Sequence, residues 1–119
     1  MKKRVLVADG DPVMRELLRR KLENNTTIVD TIRSLREAKE RSHAAYTVVI
    51  SDYHLPDGGG DSVISILRSA FPHAGLIIMS GGMLGAEQLF AEQGVKAFFS
   101  KPLDLEKLRA TVGQILKGC

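Results

Sequence analysis

Four short runs of mostly apolar residues in this chain each lead to a polar residue, and that pattern constrains the fold more than any other feature. Val5–Ala8 leads to Asp9, Val48–Ser51 to Asp52, Leu76–Met79 to Ser80, and Ala97–Ser100 to Lys101. Runs of this length, apolar without alternation, are what strands of a parallel sheet covered on both faces look like. In an open α/β sheet, ligands bind outside the carboxyl ends of the strands, near the point where strand order reverses. Two acids, a hydroxyl and an ammonium therefore converge on one crevice. Such a set suits a phosphoryl group held together with a metal ion.

Helix signals separate the runs. Asp11 caps a first helix with Pro12 in its first turn, and Met14, Leu17, Leu18 and Leu22 recur at helical spacing. Asn24-Asn25 breaks it ahead of a weak strand at Thr27–Val29. Ser34 and Glu37 form a capping-box pair that opens a second helix through about Ala44. Asp57–Gly60 reads as a loop, and Asp61 as the cap of a third helix carrying Val63, Ile64, Ile66 and Leu67, which Pro72 stops. After Gly81-Gly82 a fourth helix turns Leu89 and Phe90 inward and ends at Gly94. Asp104 caps the last, with Leu105, Leu108, Val112, Ile115 and Leu116 on one face.

The result is strict (βα)5 alternation, an α/β fold with a doubly wound five-stranded parallel sheet. The second strand is the most polar and ends without a functional residue, which suits an edge. That gives strand order 2-1-3-4-5, with the switch point between strands one and three, where Asp9 and Asp52 meet. With 119 residues and no linker or repeat, residues 1–119 read as a single domain. A net charge of +3 is too mild to imply nucleic-acid binding, and Arg15, Arg19, Arg20 and Lys21 are interleaved with Glu16 and Glu23 as on a solvated helix face. The single cysteine, Cys119, allows no intrachain disulfide, and the run behind Met1–Arg4 is too short for an export signal. No stretch approaches membrane-spanning length, so the expected home is the cytoplasm.

Four motifs then carry a family resemblance. Val5–Pro12 resembles the acidic-pocket segment of response regulator receiver domains. Ile50–Gly60, with Pro56 four residues past Asp52, resembles the phosphoacceptor strand and loop. Met79-Ser80-Gly81 resembles the switch hydroxyl with its small neighbour, and Phe98–Pro102 the switch aromatic with its Lys-Pro pair. The resemblance spans essentially the whole chain. It implies a two-component signalling module of the chemotaxis-regulator kind, not an enzyme beyond its own phosphotransfer and autodephosphorylation. Asp52 is implied as phosphoacceptor, with Ser80 and Lys101 beside it. Magnesium is implied as cofactor, held by Asp9, Asp52 and the backbone carbonyl of His54. Ser80 and Phe98 are implied as the switch that alters the surface of helix four, strand five and helix five. The implied partners are a sensor histidine kinase or phosphotransfer protein and a downstream effector or output domain, with no nucleic acid and no membrane.

Three departures from the family pattern bear on this. The second of two adjacent acids, normally a direct metal ligand, is Gly10, so Asp9 or Asp11 must shift to compensate or metal affinity falls. The segment from Ser80 to Lys101 is one residue short and begins with Gly81-Gly82, which implies a displaced or mobile fourth helix. Gly58-Gly59-Gly60 is expected to loosen the loop beside Asp52. Gly10 also supports an alternative reading, a pseudo-receiver that binds protein with little phosphorylation. Taken singly, Asp11, Asp57 and Asp61 are loop or cap residues, His54 an exposed side chain, and Asp52 with Lys101 a structural ion pair. A cobalamin site is discounted because the glycine after Asp52-Tyr53-His54 is displaced and the strand is wrong, and no nucleotide phosphate loop is present.

Overall fold

The computed structural model describes residues 2–81 and 87–118. Its elements run β1 (Lys3–Ala8), α1 (Pro12–Leu22), β2 (Thr27–Ile32), α2 (Leu35–Glu40), β3 (Val48–Asp52), β4 (His54–Leu55), β5 (Gly58–Gly59), α3 (Asp61–Ala70), β6 (Gly75–Ser80), α4 (Glu87–Glu92), β7 (Ala97–Ser100) and α5 (Leu105–Lys117). Five parallel strands form one sheet in the order β2-β1-β3-β6-β7. Counting those five alone, this is the expected 2-1-3-4-5. Strands β4 and β5 form a separate antiparallel hairpin just past Asp52.

The strands are apolar on both sides because both faces are covered. Along β1, Leu6 and Ala8 enter a core shared with Leu35, Ile64, Leu67 and Phe90. Val5 and Val7 enter the other, with Leu18, Leu22, Leu108 and Val112. Side chains of successive strand residues alternate, so helices α2, α3 and α4 cover one face while α1 and α5 cover the other. Fully burying each Val, Leu or Ile contributes roughly 1.5–3 kcal/mol, so the strand ends are held on a rigid slab.

Local signals explain most element boundaries. The Asp11 carboxylate accepts from Val13 N–H at 2.9 Å, and Pro12 occupies the first helical position of α1. Asp104 accepts from Lys107 N–H at 3.1 Å to open α5. Lys21 of α1 also reaches Glu106 of α5, joining the two helices on that face. At α2 the Ser34 hydroxyl accepts from Glu37 N–H at 3.2 Å, while the Glu37 carboxylate reaches back to Arg33 N–H at 2.8 Å. Gly94 ends the α4 segment at φ 86°, the left-handed conformation a helix-terminating glycine supplies.

Five expectations need correction. Strand β2 continues to Ile32, because Asp30 is satisfied inside it by Arg4 at 2.6 Å and the Tyr46 hydroxyl at 2.7 Å. Helix α2 stops at Glu40 and does not reach Ala44; Ala44 N–H instead bonds the Arg41 carbonyl in a following turn. Leu17 is 43% exposed, off the buried stripe of Leu18 and Leu22. Asp61 does not cap α3: Gly60 holds that position at φ 68° with no side-chain cap, and Asp61 accepts from the Tyr53 hydroxyl at 3.1 Å. The triple glycine is not a loose loop, since Gly58 and Gly59 form β5, where a Cβ on Gly58 would lie 2.7 Å from Leu35 Cδ1. The expected start of the fourth helix after Gly81-Gly82 and the inward side chain expected for Leu89 lie outside what is described.

Candidate functional site

Register brings the two acids together. Strands β1 and β3 pair Ala8 with Ser51, so Asp9 and Asp52 follow side by side at the carboxyl edge. Asp9 is only 1% exposed, although its side chain is charged. The Asp9 carboxylate is met by Asp11 N–H at 2.9 Å on Oδ1 and by Lys101 Nζ at 3.2 Å on Oδ2. Lys101 Nζ also lies 2.9 Å from Asp52 Oδ2, while His54 N–H reaches Asp52 Oδ1 at 3.3 Å. One ammonium thus bridges both carboxylates.

Lys101 reaches this place because β7 ends at Ser100 and the Lys101 N–H continues the ladder to the Ser80 carbonyl at 2.9 Å. The next peptide, Lys101-Pro102, is cis. Burial alone would lower the Lys101 pKa, but the hydrogen bond to Asp52 and the negative charges of Asp9 and Asp52 outweigh it, and the net shift is upward. The side chain is therefore an ammonium at neutral pH.

The remaining expected residues fall around this trio. Ser80 is buried at the end of β6, one residue past Met79, which pairs with Asp52. Asp11 is exposed and its carboxylate caps α1, so its backbone rather than its side chain serves the crevice. His54 is exposed, and its backbone runs beside Asp52. Phe98 lies on the other side of the sheet edge, half-buried, with its ring 5.1 Å from that of Phe90 and tilted by 44°.

Four residues make contacts here that the sequence did not foretell. Arg15 Nη1 donates to the Asp9 carbonyl at 2.8 Å from one turn into α1. Pro56 stands over Gly10, where a Cβ would lie 3.3 Å from its Cγ and Cδ. Tyr53 is buried just past the end of β3, its ring 5.2 Å from Phe90. Gly59 lies directly under the His54 ring. These contacts depend on tertiary approach, although Pro56 and Gly59 already stood in the motif at Ile50–Gly60.

The oxygen donors suit a hard cation. Magnesium is commonly held by one or two carboxylates, water and a phosphate oxygen, and Asp9 and Asp52 supply the two carboxylates. Gly10 offers none, and among the described residues no group of three acid, histidine or cysteine side chains is gathered closely enough to hold a metal. Magnesium held by Asp9 and Asp52 would take most of its remaining ligands from water.

Comparison with known proteins agrees with this fold. A family model described as the response regulator receiver domain matches residues 5–113. The response regulator protein PilR of Pseudomonas aeruginosa is 26% identical over 98% of this chain, which spans 26% of PilR. The photosynthetic apparatus regulatory protein RegA of Cereibacter sphaeroides is 29% identical over 87% of this chain, corresponding to 57% of RegA. The Francisella response regulator 1452 receiver domain superposes with a TM-score of 0.87, at 24% identity and 98% coverage of both chains. Chemotaxis response regulator CheY4 of Vibrio cholerae gives 0.82 at 21% identity, covering 97% of this chain and 99% of that one.

Proposed function

We infer the function from one premise: the chain belongs to the response regulator receiver domain family of two-component systems. We propose that Asp52 accepts a phosphoryl group from a phosphohistidine of a sensor histidine kinase or phosphotransfer protein. The observation that carries this is Lys101 Nζ bridging Asp52 and the buried Asp9 at 2.9 and 3.2 Å. An Asp52 carboxylate oxygen attacks phosphorus, the P–N bond to the donor histidine breaks, and the imidazole leaves with that electron pair. Such a transfer needs in-line placement and charge neutralisation more than proton shuttling. Lys101 faces the growing negative charge, and the Ser80 hydroxyl donates to another phosphoryl oxygen. Magnesium held by Asp9, Asp52 and the His54 carbonyl supplies further charge neutralisation when bound.

Two large apolar side chains stand exposed on α1, the helix that follows Asp9: Val13 at 73% and Leu17 at 43%. A partner that brings a phosphohistidine to Asp52 covers them. On phosphorylation Ser80 is drawn toward the phosphoryl group and Phe98 turns inward, changing the surface of α4, β7 and α5. That surface signals to an effector or output domain. The setting we propose is cytoplasmic; no helix among the described residues is long and apolar enough to cross a membrane. Gly10 favours one second reading, a pseudo-receiver that binds protein with little phosphorylation.

Intact mass after incubation with a small phosphodonor and magnesium tests the proposal. The expected result is one added phosphoryl group, absent from a folded Asp52→Asn variant. Uptake that persists unchanged in that variant ends the assignment of Asp52.

A further inference from the structure

We propose that Arg15 is a positioning residue for Asp9. From one turn into α1 it pins the Asp9–Gly10 peptide and so holds the Asp9 carboxylate against Lys101. This chain needs that constraint because residue 10 is glycine. Its bearing on magnesium rests on the reading of Asp9 and Asp52 as the metal's carboxylates.

Each polar group of Asp9 is taken. Its N–H continues the ladder to the Ile32 carbonyl at 3.1 Å. One carboxylate oxygen accepts from Asp11 N–H at 2.9 Å, and the other meets Lys101 Nζ at 3.2 Å. The carbonyl lies past the end of β1 at Ala8, and with the residue only 1% exposed it would be costly to leave unpaired. Arg15 Nη1 donates to it at 2.8 Å. The Arg15 backbone is itself fixed, its N–H on the Asp11 carbonyl at 3.0 Å, while Asp11 caps the helix through Val13 N–H. Glu16, beside it on α1, is paired with Arg19 and Arg20. The Arg15 guanidinium therefore serves a neutral carbonyl rather than the nearest acid.

Gly10 makes that bond matter. Positive φ among the described residues is confined to Gly60 and Gly94, so Gly10 holds a conformation open to any residue. Without a Cβ it can also leave that conformation at little cost. A turn of the Asp9–Gly10 peptide would carry the Asp11 N–H off the Asp9 carboxylate and release its aim into the crevice. A hydrogen bond from a charged guanidinium is stronger than a neutral one and resists that turn.

The test uses the full chain as wild type, Arg15→Lys, Arg15→Ala, Gly10→Ala and the Arg15→Ala/Gly10→Ala double variant. Without metal, exchange of the Asp11 amide is expected to be about tenfold faster in Arg15→Ala, while the amides of Leu18 and Leu22, buried in the same helix, keep their rates. Magnesium affinity, read from amide shifts, is expected to fall about three- to tenfold in Arg15→Ala. The fall is smaller in Arg15→Lys, whose ammonium can still reach one carbonyl. Alanine restricts residue 10, so the Arg15→Ala effect is expected to shrink on the Gly10→Ala background. Unchanged Asp11 exchange, a lower melting temperature with unchanged magnesium affinity, or an equally large Arg15→Ala effect on both backgrounds would each overturn the proposal. If wild type itself binds no magnesium at millimolar concentrations, the metal reading fails. Asp11 exchange on the two backgrounds then decides by itself whether Arg15 positions Asp9.

Discussion

Replacing Gly10 by aspartate restores the acid that the family places beside Asp9, and the structure allows its separate effects to be weighed. The new Cβ would meet Pro56 Cγ and Cδ at 3.3 Å, so the exposed proline must give by a few tenths of an ångström. The carboxylate adds a third negative charge to a crevice where Lys101 already serves two. Like charges about 4 Å apart cost roughly 1 kcal/mol in water and roughly 4 kcal/mol at an effective dielectric near 20. Gly10 is exposed, so the lower part of that range applies. Metal-free Gly10→Asp is expected to lose about 1–2 kcal/mol and to melt roughly 4–10 °C lower. One more direct carboxylate contributes about 1.4–3 kcal/mol to magnesium binding, a ten- to hundredfold gain in affinity. Calorimetric or amide-NMR titration beside thermal melts of wild type, Gly10→Ala and Gly10→Asp separates the effects, because alanine carries the steric part alone. Equal magnesium affinity in Gly10→Asp and wild type would refute the vacancy, and a more stable metal-free Gly10→Asp would refute the repulsion. If neither binds magnesium at millimolar concentrations, the pseudo-receiver reading moves ahead.

Other perturbations follow from single contacts. Self-dephosphorylation is expected to be slow and to change far more in His54→Asn than in His73→Asn, because His54 borders Asp52 while His73 precedes β6 at the opposite end of the sheet; equal effects on decay rate would refute this placement. Asp57 accepts from Leu35 and Arg36 N–H at 2.8 and 2.9 Å, tying the start of α2 to the hairpin that follows Asp52, so Asp57→Ala should cost about 1 kcal/mol in denaturant unfolding. The Leu35 N–H leads the causes that hold the Asp57 carboxyl below its usual range. A depressed carboxylate stabilises the fold above its unfolded pKa and loses that contribution as pH falls through its folded pKa, so the cost of Asp57→Ala should shrink in acid. Burial raises the Asp30 carboxyl, but the Tyr46 hydroxyl and Arg4 outweigh it and hold it low. The sign is therefore the same, and Asp30→Asn should destabilise by about 1–3 kcal/mol at neutral pH with a gap that narrows on acidification. A pH-independent gap would assign the loss to packing.

The architecture was legible because it depends on local, repeated signals. Both faces of the strands are covered, so β1, β3 and β6 carry the unbroken apolar runs Val5–Ala8, Val48–Ile50 and Leu76–Met79, which stand out from helices of 3.6 periodicity. Caps at Asp11, Ser34 and Asp104 act through near-neighbour hydrogen bonds, which sequence spacing encodes directly. The errors arose where a distant partner changed the local preference. Asp30 argues against a strand until Arg4 and Tyr46 satisfy it, and Asp61 looks like a cap until the Tyr53 hydroxyl takes its carboxylate.

The crevice divides in the same way. Asp9 and Asp52 were placed together from strand order, since adjacent parallel strands that end in register must present their next residues side by side. How their charge is shared was not legible, because the bridging depends on the path of Lys101 across Ser80 into the gap. Glycine was the least legible residue of all. Gly10, Gly58 and Gly59 look alike in sequence, yet their missing side chains make room for Pro56, Leu35 and His54 respectively. A glycine at positive φ is required by its own backbone, as Gly60 is. A glycine required by a neighbour shows only once that neighbour is in place, so here the packing around Asp52 follows from which side chains fill the space the glycines leave.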